Sequence, residues 1–174
     1  MNSLIKITSG KLRGRSIKSP NTALTHPMGS REKLALFNMI ADYLPGAKVM
    51  DAYAGSGALG IEALSRGAKE AIFIEKDARA CKTIRENLKT LGIEAKVLMM
   101  DVANYVSSEK FDVILVDPPY DKFLTGEMEH LSRNLKDSGV LVISHPNETP
   151  ELPNLESIKT RKYAGANISI YRFI

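Results

Sequence analysis

Asp51-Ala52-Tyr53-Ala54-Gly55-Ser56-Gly57-Ala58-Leu59-Gly60 is the stretch whose reading decides the fold. An apolar run over residues 49–53 predicts a buried strand, and residues 58–65 predict a helix that Gly67 closes. Between them Gly55, Gly57 and Gly60 satisfy G-x-G-x-x-G, where glycine permits a tight turn, close approach of backbone to a ligand, and close packing of helix on strand. Glycines that serve a tight turn and nothing more are the plainer alternative.

Outward from this loop, short apolar runs alternate with longer amphipathic ones. Strands are expected at residues 71–75, 96–100, 111–116 and 140–144, and helices at 78–91, stopped by Gly92, and near 124–135. Continuous apolar strands separated by helices imply right-handed βαβ units and a mostly parallel sheet covered on both faces, an α/β, Rossmann-like fold. Residues 157–163 and 168–174 alternate around Gly165-Ala166-Asn167, so an antiparallel hairpin should finish the sheet. At the other end, residues 4–17 suggest a small β-hairpin around Gly10 and Gly14, and residues 19–29 an extended loop. Ser30 is a candidate N-cap for a helix over residues 31–44, ended by Pro45-Gly46. The expected organisation is a basic extension (1–45) packed on a body (46–174), effectively one domain.

Two cofactor classes compete for the glycine loop. A dinucleotide is one, since Glu75 ends the next strand, where a carboxylate can accept hydrogen bonds from ribose hydroxyls. Asp51 favours the other: beside a pyrophosphate it would repel, whereas it suits a ligand amine or, through water, a sulfonium. Asp101 ends the third strand, where it could reach an adenine amino group. Three acids at the carboxyl ends of three successive strands therefore point to S-adenosylmethionine, which leaves as S-adenosylhomocysteine. Tyr53, Ala54 and Ser56 of the loop, with Lys76 and Val102, complete the candidate cofactor-binding set. No metal is expected.

Asp117-Pro118-Pro119-Tyr120 follows the most apolar strand and so reaches the same sheet edge. The two prolines remove backbone donors and leave carbonyl acceptors. Such acceptors, with the Asp117 carboxylate, suit an exocyclic amine on a planar ring, and Tyr120 offers a stacking face. These four residues are the candidate catalytic set, for methyl transfer by positioning. A diproline turn with no ligand is the alternative.

Of the 24 basic residues, six (Lys6, Lys11, Arg13, Arg15, Lys18 and Arg31) precede the first acid, leaving 18 to face all 20 acids. The +4 net charge thus resolves into a +6 start and a −2 remainder, and Lys11, Arg13, Arg15, Lys18 and Arg31 are candidates for phosphate contact. Cys81, the single cysteine, has no partner for a disulfide; it is either a core filler or a surface thiol. Residues 1–10 lack a secretory apolar core, and no segment approaches the roughly 20 apolar residues of a membrane span. A cytoplasmic location, no membrane and a monomer are expected.

The chain resembles class I S-adenosylmethionine-dependent methyltransferases, above all the bacterial 16S ribosomal RNA guanine-N2 methyltransferase family (the RsmD type). The resemblance rests on Ile7-Thr8-Ser9-Gly10-Lys11-Leu12-Arg13-Gly14-Arg15, on residues 51–68 with Gly60-Ile61-Glu62-Ala63-Leu64-Ser65-Arg66-Gly67-Ala68, and on residues 111–120. It implies methylation of one guanine amino group in 16S rRNA, within a small-subunit particle, with Asp51, Gly55, Gly57, Glu75 and Asp101 on the cofactor and residues 117–120 on the guanine. In His26-Pro27-Met28, histidine and methionine stand where the family usually has arginine and threonine. Adenine-N6 methylation of DNA or RNA is an alternative within the enzyme class. A catalytically inactive RNA-binding protein is the alternative outside it.

Overall fold

The run Phe111–Val116, apolar except for the half-buried Asp112 near its start, forms the central strand of a seven-stranded sheet, as suits a strand covered on both faces. In the computed structural model, which describes residues 3–20, 28–122, 125–146, 148–163 and 166–174, β1 (Leu4–Lys6) and β2 (Ser16–Lys18) form a separate antiparallel ribbon. The sheet contains β3 (Lys48–Ala52), β4 (Glu70–Glu75), β5 (Lys96–Met99), β6 (Phe111–Val116), β7 (Leu135–His145), β8 (Leu155–Lys162) and β9 (Asn167–Phe173), in the order β5-β4-β3-β6-β7-β9-β8. Strands β5 to β7 across the centre are parallel, and β9 runs antiparallel to both its neighbours. The order reverses between β3 and β6, the point where such sheets open a crevice beyond their carboxyl ends.

Helices α1 (Ser30–Met39), α2 (Ala58–Ser65), α3 (Ala78–Leu91) and α4 (Thr125–Ser132) cover the sheet. Alternate strand residues feed two cores. Val49, Phe73, Val113, Leu115 and Val142 pack with α1, α2 and α3, while Met50, Ile74, Ile114, Leu141 and Ile143 pack with α4. Asp51, Glu75, Asp117 and Ser144 continue the first set past the apolar positions, so one face of the sheet edge collects them.

Three expectations need correction. Ser30 is already helical and Gly29 is the N-cap, with no side-chain cap; α1 stops at Met39 because Ile40 leaves helical geometry, and a 3-10 turn, Ala41–Tyr43, completes the run to Pro45. Strand β7 begins at Leu135, not at residue 140. Leu135 pairs with Phe111 and pairing resumes at Val140 with Val113, so the intervening exposed Lys136, Asp137 and Ser138 bulge outward and hide the strand from an apolar pattern. Helix α4 ends at Ser132, since Asn134 turns its side-chain amide to the carbonyls of Ser107 and Glu109. The expected antiparallel hairpin does finish the sheet, with the mostly buried β9 lying inside and the largely exposed β8 forming the edge. Gly165 and the loop residues 21–27 lie outside the described residues.

Candidate active site

The glycine loop is tied from several sides. Gly57, at φ +79°, caps α2, and Gly55 has φ +54°. At Gly60 a Cβ would come within 2.4 Å of the Phe73 ring, so only glycine lets α2 lie this close to β4. Tyr53 is a non-glycine residue at φ +60°, a conformation costing about 1–3 kcal/mol that persists where surroundings enforce it. Its hydroxyl donates to the Glu127 carboxylate on α4, and burial foremost, then Glu127, raises its pKa. The Ala54 N–H donates to the Ile74 carbonyl at 3.0 Å. Ser56 is buried; its carbonyl accepts a 3.1 Å hydrogen bond from the Asn87 amide, which also donates to the Lys18 carbonyl at 2.9 Å. The Lys18 N–H returns a bond to the Asn87 side-chain oxygen at 2.9 Å, so one buried side chain joins the ribbon to the loop.

Acids at the sheet edge differ in how they are used. Asp51 is 1% exposed and accepts from the Gly60 N–H at 2.8 Å; burial raises its pKa well above the carboxylate range, and the charges of Asp117 and Glu75 add to the rise. Glu75 accepts from the Gly55 N–H at 2.8 Å with one oxygen and from the Asp77 N–H at 2.9 Å with the other. A carboxylate oxygen has two lone pairs, so both retain a site for a ligand hydroxyl. Asp101 lies two residues beyond β5, which ends at Met99, instead of within it. The Ala103 N–H at 3.1 Å holds its pKa down against burial, helped by the exposed Lys76, whose Nζ is 3.4 Å from it. Val102 is buried beneath this turn.

Asp117 stands just past β6, and burial pushes its pKa up to about 6, against a hydrogen bond from Ser144. Pro118 is buried and Pro119 exposed. Tyr120 opens a 3-10 turn, Tyr120–Lys122, and its hydroxyl lies 2.6 Å from the Ser144 hydroxyl. Burial raises the phenol's pKa, with smaller contributions from Asp117 and from Glu32 of α1. The site thus offers a carboxylate near its titration point beside a fixed aromatic ring. Ser144, Glu127 and Asn87 carry no motif and escape a reading of sequence; only the end of an apolar strand marks Ser144.

The basic candidates divide in two. Lys11, Arg13 and Arg31 are exposed, and neither Lys11 nor Arg13 engages its side chain with another described residue. Arg15 donates to the Thr90 carbonyl at 2.9 Å, at the carboxyl end of α3, and Lys18 lies 3.4 Å from Glu86. The ribbon sits on α2. Glu62, 0% exposed, accepts from the Thr8 N–H at 3.0 Å, the Thr8 hydroxyl at 2.7 Å and the Ser9 N–H at 3.0 Å. It also pairs with Lys33 at 3.1 Å and Arg66 at 3.0 Å. At Gly10, φ +80°, a Cβ would lie 1.8 Å from the Ser65 carbonyl oxygen. Among the described residues no group of three or more His, Cys, Asp or Glu could hold a metal, and no helix is long and apolar enough to cross a membrane. Cys81 is a core filler: it is buried and its thiol donates to the Glu75 carbonyl at 3.2 Å. His26 and Pro27 lie outside the described residues, while Met28 packs against the first core.

Comparison with known proteins converges on one family. The family model described as "Conserved hypothetical protein 95" matches residues 5–172. The Bacillus subtilis (strain 168) protein YlbH is 36% identical over 97% of this chain and 98% of its own length. The Escherichia coli (strain K12) protein named "Ribosomal RNA small subunit methyltransferase D" is 32% identical, covering 92% of this chain and 85% of the relative. Among solved structures, yhhF from Escherichia coli superimposes with a TM-score of 0.88 at 29% identity, covering 98% of each chain.

Proposed function

The chain belongs to the Conserved hypothetical protein 95 family and is an RsmD-type class I methyltransferase; from that premise we propose that it methylates the N2 amine of a guanine in 16S rRNA, using S-adenosylmethionine. The observation that carries this reading is the placement of Asp117, Ser144 and Tyr120 beside the glycine loop and Asp51, on one face at the reversal point of the sheet. The acidic lining suits a cofactor that carries positive charge, and a pyrophosphate would meet Asp51, Glu75 and Asp101 at close quarters. Asp51, Gly55, Gly57, Glu75 and Asp101 would hold the cofactor, with Tyr53, Ala54, Ser56, Gly60, Lys76 and Val102 shaping its bed. When bound, S-adenosylmethionine supplies an electrophilic methyl group on a sulfonium.

The chain's own residues then orient the amine. A guanine amine has its lone pair delocalised into the ring; hydrogen bonds to Asp117 and a proline carbonyl favour a more tetrahedral nitrogen, and Tyr120 holds the base plane by stacking. Held this way, the nitrogen would take the methyl that the sulfonium gives up, the new N–C bond replacing the S–C bond. The nitrogen becomes acidic only as it is alkylated, and the proton passes to Asp117 and on to solvent. Lys11, Arg13 and Arg31, with a lesser share from Arg15 and Lys18, would contact RNA phosphates.

The test is to incubate the full chain with labelled S-adenosylmethionine and either small-subunit particles or naked 16S rRNA from cells lacking the modification, then identify the nucleoside. Label in N2-methylguanosine is expected. Label in N6-methyladenosine or in ribosomal protein would refute the target, and cofactor binding without transfer would leave an RNA-binding protein.

A further inference from the structure

We propose that Ser144 is a positioning residue, which fixes the Asp117 carboxylate and the Tyr120 ring in one working arrangement through a directed chain of hydrogen bonds. The inference rests on the function proposed above and assigns a role to a residue outside the motif. Ser144 is 1% exposed and ends the apolar part of β7. Register pairs Val116 with Ile143, which brings Ser144 alongside Asp117 across the parallel β6–β7 ladder. Its hydroxyl lies 2.6 Å from that of Tyr120, and the register sets it beside the Asp117 carboxyl, to which the proposed chain runs. Its neighbour His145 turns to the other face, 2.8 Å from the Ser169 hydroxyl, so Ser144 alone of this pair serves the crevice.

A hydroxyl has one proton to give. While Asp117 is ionised, Ser144 spends that proton on the carboxylate, and the phenol must then be the donor to Ser144. The order is therefore Tyr120 to Ser144 to Asp117, polarised toward the negative end. One carboxylate oxygen is thereby occupied and the other is left for the amine, while the Tyr120 ring is pinned by its far tip. Without Ser144 both groups keep their chemistry but lose their mutual geometry. Acids on neighbouring elements act on this cluster: Asp51 on β3, with Glu75 behind it on β4, and Glu32 on α1, which faces Tyr120. Ser144 is the donor that opposes the effect of burial on Asp117.

Ser144→Ala, Ser144→Thr, Tyr120→Phe and the Ala/Phe double variant, each in the full chain, test this. For Ser144→Ala, kcat should fall by roughly tenfold to a hundredfold, with KM for S-adenosylmethionine little changed. Ser144→Thr should restore most of the rate, and adding Tyr120→Phe to Ser144→Ala should cost little more. Independent of turnover, carbon NMR of the Asp117 carboxyl should show its titration moving to higher pH in Ser144→Ala. An unmoved titration, or two substitutions whose effects multiply as if unconnected, would overturn the role. Absence of transfer by the unaltered chain to any rRNA would instead remove the proposed function, with the titration still deciding whether Ser144 governs Asp117.

Discussion

Helix α2 meets one buried acid at its first turn and carries another on its own side, and the two are treated in opposite ways. Asp51 and Glu62 are 1% and 0% exposed, so burial penalises the charge of both. For Glu62 that penalty is outweighed by the Thr8 N–H and hydroxyl and by the Lys33 ammonium, and its pKa is lowered. Asp51 has the Gly60 N–H to set against burial, with Asp117 and Glu75 adding repulsion, and its pKa is raised. Equal burial with opposite outcomes separates an acid committed to architecture from one held in reserve for a cationic ligand.

The sharpest break of this contrast is at Asp117, the second acid with a raised pKa. Asp117→Asn should lower kcat by about a thousandfold or more while S-adenosylhomocysteine affinity, measured calorimetrically, stays close to that of the unaltered chain. Equal loss of both would return Asp117 to a structural role. Next in size, Glu62→Gln strips a buried network of its anion and should cost about 3–5 kcal/mol in urea unfolding. Asp51→Asn should do the reverse, keeping or raising Tm at neutral pH while weakening cofactor binding.

The signs follow from linkage. The contribution of Glu62 is present above the ordinary carboxylate range and is lost as pH falls through its lowered folded value. Asp51 favours the folded state in acid, and that contribution is lost as pH rises toward its raised value. Smaller again is the pH response of transfer. Asp117 must be ionised to accept from the amine, so kcat should climb about tenfold per pH unit below its midpoint and level off above about 6. The smallest effect contrasts two arginines: Arg13→Ala should flatten the salt dependence of RNA binding by about one unit of slope. Arg15→Ala should change it less, because Thr90 already engages that guanidinium.

Strands and glycines were readable because their physics is local. Apolar runs gave β6 at its observed bounds, α2 and α3 followed from periodicity and their closing glycines, and Gly55 and Gly57 take left-handed turn conformations while Gly60 admits the Phe73 ring. Three acids and the Asp-Pro-Pro-Tyr turn could be assigned to one edge because each lies at or just past the carboxyl end of a strand. What stayed hidden depends on contacts distant in sequence. The polar opening of β7 is a strand only because Leu135 pairs with Phe111. The placement of β9 inside β8 depends on which of two alternating segments is buried. Ser144 is an ordinary strand serine until Tyr120 is folded against it, and Glu62 lies in a family motif without revealing that the ribbon would surround it.

The seat of that ribbon bears on whether the two parts of the chain can be separated by engineering. Of the groups that hold Glu62, Thr8, Ser9 and Lys33 precede Pro45, and Arg66 alone belongs to the body. A fragment beginning at residue 46 would keep the glycine loop and the crevice yet retain a carboxylate buried for partners it no longer has. The basic ribbon is therefore expected to fail as a portable module that could be grafted or deleted at will. Such a fragment should be recovered unfolded or aggregated, since it also loses the buried Leu36, Phe37 and Ile40 of the first core, and recovery of a stable, folded fragment would show the two parts to be independent.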